Sequence, residues 1–181
     1  MKRKLLAYCI ALSVAMLFFG CSSGGNNEPK RVDNSNAPTE TQSPQSTADE
    51  PTKFGVGESA DLNNVVATLV NVSENSGGDF NRPSEGNVFV VCEFEIENNS
   101  DKELAISSMM CFSSYVDDYS TSMSLSAMMS SDKRQLDGKV SPGKKMNGII
   151  GYEVPSDWSE LEIQFTPDFW TGKDIVFTYT K

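Results

Sequence analysis

The sequence predicts an all-β fold, an antiparallel β-sandwich of about seven or eight strands in residues 53–181. Three observations carry that expectation. Apolar and polar residues alternate at period two in several short runs, as strands with one buried face require. Turn-forming residues punctuate those runs at short intervals, the spacing of a sandwich. No segment sustains a helical apolar stripe over 11 residues.

Taken in order, Leu62 ends a short opening strand, and Val65 to Val72 forms a second. Glu74 to Asn87, with Gly77-Gly78 and Arg82-Pro83, reads as a long loop. In the next run Val88, Val90, Cys92, Phe94 and Ile96 share one face, while Glu93, Glu95 and Glu97 share the other. Asn98-Asn99-Ser100-Asp101 is a turn. Met109 to Val116 and Leu136 to Val140 carry weaker strand patterns, and Leu125 to Ser130 can form one helical turn. Ser141-Pro142-Gly143-Lys144 puts Pro and Gly at the central positions of a type II turn, which should join two antiparallel strands. Met146, Gly148, Ile150, Tyr152 and Val154 make another buried face, and Leu161–Phe165 and Ile175–Tyr179 alternate cleanly.

The start of the chain has the three-part layout of a secretory signal. Lys2, Arg3 and Lys4 precede an apolar run from Leu5 to Phe19, and Gly20 is the small residue before cleavage. That run of 15 residues is short of the roughly 20 that span a bilayer as a helix. Leu17-Phe18-Phe19-Gly20-Cys21 resembles the lipobox of bacterial lipoproteins, with Phe18 and Phe19 where Leu and a small residue are commoner. The resemblance implies diacylglycerol on the Cys21 thiol, removal of residues 1–20, and a lipid anchor on the outer face of the cell membrane. Two acyl chains anchor stably where one binds marginally. Residues 21–52 then read as the lipidated Cys and a disordered tether: the stretch holds Pro29, Pro38, Pro44 and Pro51, with Val32 its only large aliphatic residue.

The chain carries a formal charge of −10, and losing Lys2, Arg3 and Lys4 with the signal leaves −13. Such a chain is a poor ligand for nucleic acid, whose phosphates call for Lys and Arg. Of four cysteines, Cys9 leaves with the signal and Cys21 carries lipid. Cys92 and Cys111 remain, either bridged, as an exported pair permits, or present as two small buried hydrophobes.

A family resemblance covers nearly all of residues 54–180. It rests on Phe54-Gly55-Val56-Gly57-Glu58, the run from Asn87 to Ser100, Leu136-Asp137-Gly138, Pro142-Gly143-Lys144-Lys145, the run from Gly148 to Pro155, and Leu161–Phe165. Together these resemble the bacterial domain of unknown function 4352. The resemblance implies an immunoglobulin-like sandwich, related to a secreted mycobacterial antigen and common on Gram-positive lipoproteins. Its motifs are strands and turns, and they transfer no active site and no cofactor.

The residues themselves offer little chemistry. Histidine is absent, which removes Ser-His-Asp and Cys-His nucleophile arrangements and every His-bearing metal site. Asp117-Asp118 is the only adjacent acidic pair in residues 53–181, a candidate for carboxylate hydrolysis or for calcium but more simply a solvated turn. Met109, Met110, Met123, Met128, Met129 and Met146, with Cys111, could suit Cu(I) or merely fill an irregular core. Residues 119–131 mix hydroxyls with Met and lack charge, as would an adaptable binding surface or a covering crossover between sheets. The expected function is a noncatalytic, lipid-anchored extracellular binding or accessory domain, with an envelope protein, peptide or glycan as partner. A copper-handling lipoprotein and a small carboxylate-based envelope hydrolase are the alternatives.

Overall fold

In the computed structural model, which describes residues 28–32, 52–168 and 172–181, the periodic runs become strands. The chain order is β1 (Lys30–Val32), β2 (Lys53–Phe54), β3 (Ser59–Leu62), β4 (Val65–Asn75), β5 (Asn87–Asn98), β6 (Leu104–Ile106), β7 (Phe112–Val116), β8 (Tyr119–Thr121), helix α1 (Leu125–Met129), β9 (Gly138–Val140), β10 (Lys144–Pro155), β11 (Glu160–Phe165) and β12 (Ile175–Thr180). One sheet runs β1-β3-β4-β5-β10, a second runs β2-β12-β11-β7-β8, and β6 pairs with β9 in a small ribbon. All pairings are antiparallel except the short one between β12 and β2. The fold is the expected immunoglobulin-like antiparallel sandwich. The strand count exceeds seven or eight because β1, β2, β6, β8 and β9 are only two or three residues long, too short to show a period.

The main core lies between the sheets. Phe94 on β5 meets Phe177 on β12 edge-on at 5.5 Å, and Phe112 stacks on Phe165 at 4.8 Å. Tyr152 on β10 and Ser114 on β7 share a buried hydroxyl–hydroxyl hydrogen bond of 2.6 Å, a polar link between the two sheets. Burial pushes the Tyr152 phenol far above its ordinary pKa, so it stays neutral.

Two tight hairpins carry positive φ at both central residues: Asn63-Asn64 (57° and 65°) between β3 and β4, and Asp117-Asp118 (47° and 67°) between β7 and β8. That is the type I′ geometry that matches strand twist, and Asn and Asp tolerate it better than other side chains. The turn at Ser141–Lys144 also forms, with Gly143 at φ 70° and Lys144 N–H donating to the Ser141 carbonyl at 3.0 Å. It does not join a paired hairpin, however. Gly143 N–H reaches the Asn98 carbonyl at 2.7 Å, so β10 begins directly on β5 and β9 is left to pair with β6.

Asn98 fixes this corner. Its side chain is fully buried. Nδ2 donates to the carbonyls of Lys102 and Val140, both at 2.7 Å, and Oδ1 accepts from Ser100 N–H at 3.0 Å and the Ser100 hydroxyl at 2.6 Å.

One expectation is corrected, and two further features bear on the cysteines and the tether. The strand expected from Met109 begins only at Phe112, because Met110 and Cys111 N–H groups both turn back to the Ser107 carbonyl, leaving Met109 and Met110 exposed. Of the two readings left open for Cys92 and Cys111, this structure has the second, both being free and buried. Cys92 lies within the core of the β5 ladder, while the Cys111 sulfur accepts from Ser107 N–H at 3.4 Å and points toward the Ala105 carbonyl at 3.8 Å. The stretch read as tether contains β1. Arg31 pairs with Glu58, donates to the Lys53 carbonyl at 3.5 Å and sits 5.1 Å over the Phe54 ring. Residues 1–20, Cys21 and most of 22–52 lie outside the described residues.

Candidate interaction surface

The sequence left open whether residues 119–131 cover a core or face a partner, and they do both. Ser122 and Met123 leave the second sheet at β8, and Ser124 N–H donates to the Gly151 carbonyl of β10 at 2.7 Å. Ser124 then caps α1, its hydroxyl accepting Ala127 N–H at 3.2 Å. The helix lies on the outer face of the first sheet, where Met128 packs with Val91 and Ile149. Val91 on β5 is thus buried on the face that Glu93, Glu95 and Glu97 hold open further along. Such close seating needs Gly151: a Cβ there would lie 2.8 Å from the Ala127 Cβ and from the Met128 nitrogen.

The opposite side of α1 is bare. Leu125 and Met129, one helical turn apart, are 61% and 71% exposed. Asn81 Nδ2 donates to the Ser126 carbonyl at 2.5 Å, which docks the 76–86 loop against the helix. That loop is held by Gly77 (φ 72°), whose N–H meets Asn75 Oδ1 at 2.9 Å, and by the Gly78 N–H bond to the Asn81 carbonyl at 2.8 Å. At its tip Phe80 is fully exposed. On the other side of Leu125 a groove of about 470 Å³ opens, lined by Met109, Phe112, Met123, Leu125 and Tyr152 together with Ser and Thr hydroxyls of β7 and β8. The result is a series of apolar side chains (Phe80, Met129, Leu125, Met109) on well-bonded backbone. The sequence singled out the methionines but not Phe80. The available signal was a lone aromatic among turn formers in Gly77-Gly78-Asp79-Phe80-Asn81.

The acidic candidates are structural or solvated. Asp117 caps the neighbouring turn: its carboxylate accepts from the Ser159 hydroxyl at 2.6 Å, Glu160 N–H at 2.9 Å and Ser159 N–H at 3.1 Å. These bonds, the Ser159 hydroxyl foremost, hold it below the ordinary carboxylate range. All three bonds fall on Oδ1, so that oxygen serves the turn. Among the described residues, no cluster of three or more Cys, Asp or Glu could hold a metal ion. Glu93 pairs with Lys133, and Lys145 serves both Glu95 (3.2 Å) and Glu97 (2.8 Å). Every described carboxyl with a displaced pKa is displaced downward: Glu74 by Lys181, Glu97 by Lys145, Glu153 by Ser84 N–H, and Glu162 because Lys53 and Gln164 outweigh its burial. A general acid needs the opposite displacement.

Asp117 gives a direct test. Asn fits the same backbone but cannot accept all three bonds as an anion. The wild-type chain should be more stable than Asp117→Asn at pH 7. A depressed folded-state pKa contributes stability above the unfolded value of about 3.9, and that contribution disappears as pH falls through the folded value. The gap in urea midpoints between the two proteins should therefore close below about pH 4.

The methionines do not converge. Met128 is committed to the helix contact, Met146 packs against the main core near Gly138, and Met109 and Met123 share the groove. Cys111, expected as their partner, is a buried thiol raised in pKa chiefly by desolvation.

The family described as domain of unknown function (DUF4352) matches residues 54–175. The chain belongs to this family. No curated protein matches the DUF4352 chain. Among solved structures, it is similar to the ycdA protein of Bacillus subtilis, described as a "putative lipoprotein", at 16% identity and a TM-score of 0.55, over 65% of this chain and 37% of that one. It is also similar to the yjhA protein of Bacillus subtilis at 15% identity and a TM-score of 0.52, over 70% of this chain and 97% of the other. The DUF4352 chain thus spans little more than a third of ycdA. At these identities the likeness is one of fold.

Proposed function

We propose that this DUF4352 protein is an exported lipoprotein whose sandwich serves as a noncatalytic binding or accessory module on the outer face of the cell membrane. Residues 1–20 are the signal peptide, residues 21–52 carry the lipidated Cys21 and the tether, and residues 53–181 are the sandwich, to which Lys30–Val32 is added. The observation that carries the binding role is the series Phe80, Met129, Leu125 and Met109, exposed on backbone that is hydrogen-bonded on both sides. Rigid apolar anchors surrounded by hydroxyls suit a protein or peptide partner better than a glycan. The wholly downward carboxyl shifts support a noncatalytic reading. Among the described residues no helix is long and apolar enough to cross a membrane; the attachment proposed here is the lipid at Cys21.

Two measurements test this. Cys21→Ala should leave the sandwich folded and abolish incorporation of a radiolabelled fatty acid; continued labelling refutes the anchor. Hydrolysis of any envelope polymer by the purified domain, lost on changing a single carboxylate, refutes the noncatalytic role.

A further inference from the structure

The tether contains a built contact. β1 runs antiparallel to β3, with Lys30 opposite Asp61, Arg31 opposite Ala60 and Val32 opposite Ser59. Arg31 is held three ways: by the Glu58 carboxylate, by the Lys53 carbonyl and by the face of Phe54. It therefore joins the edge of the first sheet to β2, the edge of the second. Glu58 is itself fixed by accepting Gly55 N–H at 2.7 Å.

The register sets a direction. Lys30 lies at the Asn63-Asn64 end of β3, so the chain before it leaves the sandwich there. The same end carries the 99–103 loop, since Asn99 N–H donates to the Asn64 carbonyl at 2.8 Å. The 76–86 loop with Phe80 lies beyond the far ends of β4 and β5, strands of 11 and 12 residues. At about 3.3 Å per residue those strands separate the two ends by roughly 40 Å.

We infer that β1 is a latch that shortens the leash and orients the domain, holding the Asn63-Asn64 end toward the bilayer and Phe80, Leu125 and Met129 away from it. This rests on the lipid anchor at Cys21 proposed above. Latched, nine peptide steps separate Cys21 from Lys30, a reach of at most about 30 Å. Unlatched, the leash runs to Lys53 and its full extension is about three and a half times as long, enough for either end to approach the lipid.

Lipidated full-length protein in phosphatidylglycerol–phosphatidylcholine vesicles with an acceptor dye on the headgroups tests it. A donor goes on Lys102→Cys or on Asp79→Cys, both exposed positions, while Cys92 and Cys111 are buried from the label. Energy transfer should be higher from position 102 than from 79. Arg31→Glu, which repels Glu58, should remove that difference while leaving the urea midpoint of the domain nearly unchanged. Equal transfer from both positions before the change, or a difference that survives Arg31→Glu, overturns the latch. Co-sedimentation with the vesicles reads the anchor separately. If the protein stays in solution, the anchor reading fails and amide exchange decides the latch: protection of the β1 amides upholds it, and exchange at the free-chain rate overturns it.

Discussion

Replacing Asn98 by alanine is expected to destabilise the domain by about 3 kcal/mol, and by aspartate at least as much. The side chain makes four hydrogen bonds from a fully buried position. Orphaning the buried Val140 carbonyl costs about 1–3 kcal/mol, and the three part-buried bonds add roughly 0.5 kcal/mol each, about 3 kcal/mol in all. Aspartate keeps the acceptor for Ser100 but sets a carboxylate oxygen against two carbonyls where Nδ2 now donates. Against a typical total of 5–15 kcal/mol, that is a large fraction. The urea midpoint should fall by about 2 M at a typical slope. A change within 0.3 M for both variants would show that Asn98 does not hold the corner between β5, β9 and β10.

The second large effect is at Gly151. Valine there would place a Cβ 2.8 Å from the Met128 nitrogen and 2.9 Å from the Ala127 carbonyl carbon, and backbone atoms cannot rotate aside. Either α1 lifts or β10 bends, at a cost of about 3 kcal/mol. The helix has few other holds. We therefore expect it to lift, exposing Met128, Val91 and Ile149, and tryptic cleavage at Lys133 and Arg134 should accelerate. Gly78 is the control: it has no atom within 4 Å of a built Cβ and no positive φ, so Gly78→Ala should stay within about 0.5 kcal/mol of the parent. If Gly151→Val melts like Gly78→Ala, the close seating of the helix is wrong.

These two positions show what sequence can and cannot convey. The alternation in β5 was legible because Glu93, Glu95 and Glu97 face water over half its length. Val91 broke it, since its cover comes from Met123 and Met128, far off in sequence. The turn at Pro142-Gly143 was legible as chemistry, yet its partners were not: the Asn98 carbonyl that redirects β10 is 45 residues upstream. β1 escaped notice because three residues with one aliphatic cannot show a period, and its ladder partner is another edge. Of the interaction surface, the uncharged stretch 119–131 was visible. Its union with Phe80 depends on one bond from Asn81 to Ser126, which no local pattern encodes.

The unbridged thiols carry a consequence for the protein's chemical durability. Disulfide exchange and peroxide attack both proceed through the thiolate. Cys92 is wholly enclosed and its pKa is pushed far upward by desolvation, and Cys111 is raised as well. Once folded, the sandwich offers oxidants almost no reactive thiol. Its vulnerable interval is the time before the sheets close, when both cysteines are ordinary thiols able to pair with each other or with a neighbour. Under the export proposed above, a chain of this design depends on folding faster than it is oxidised.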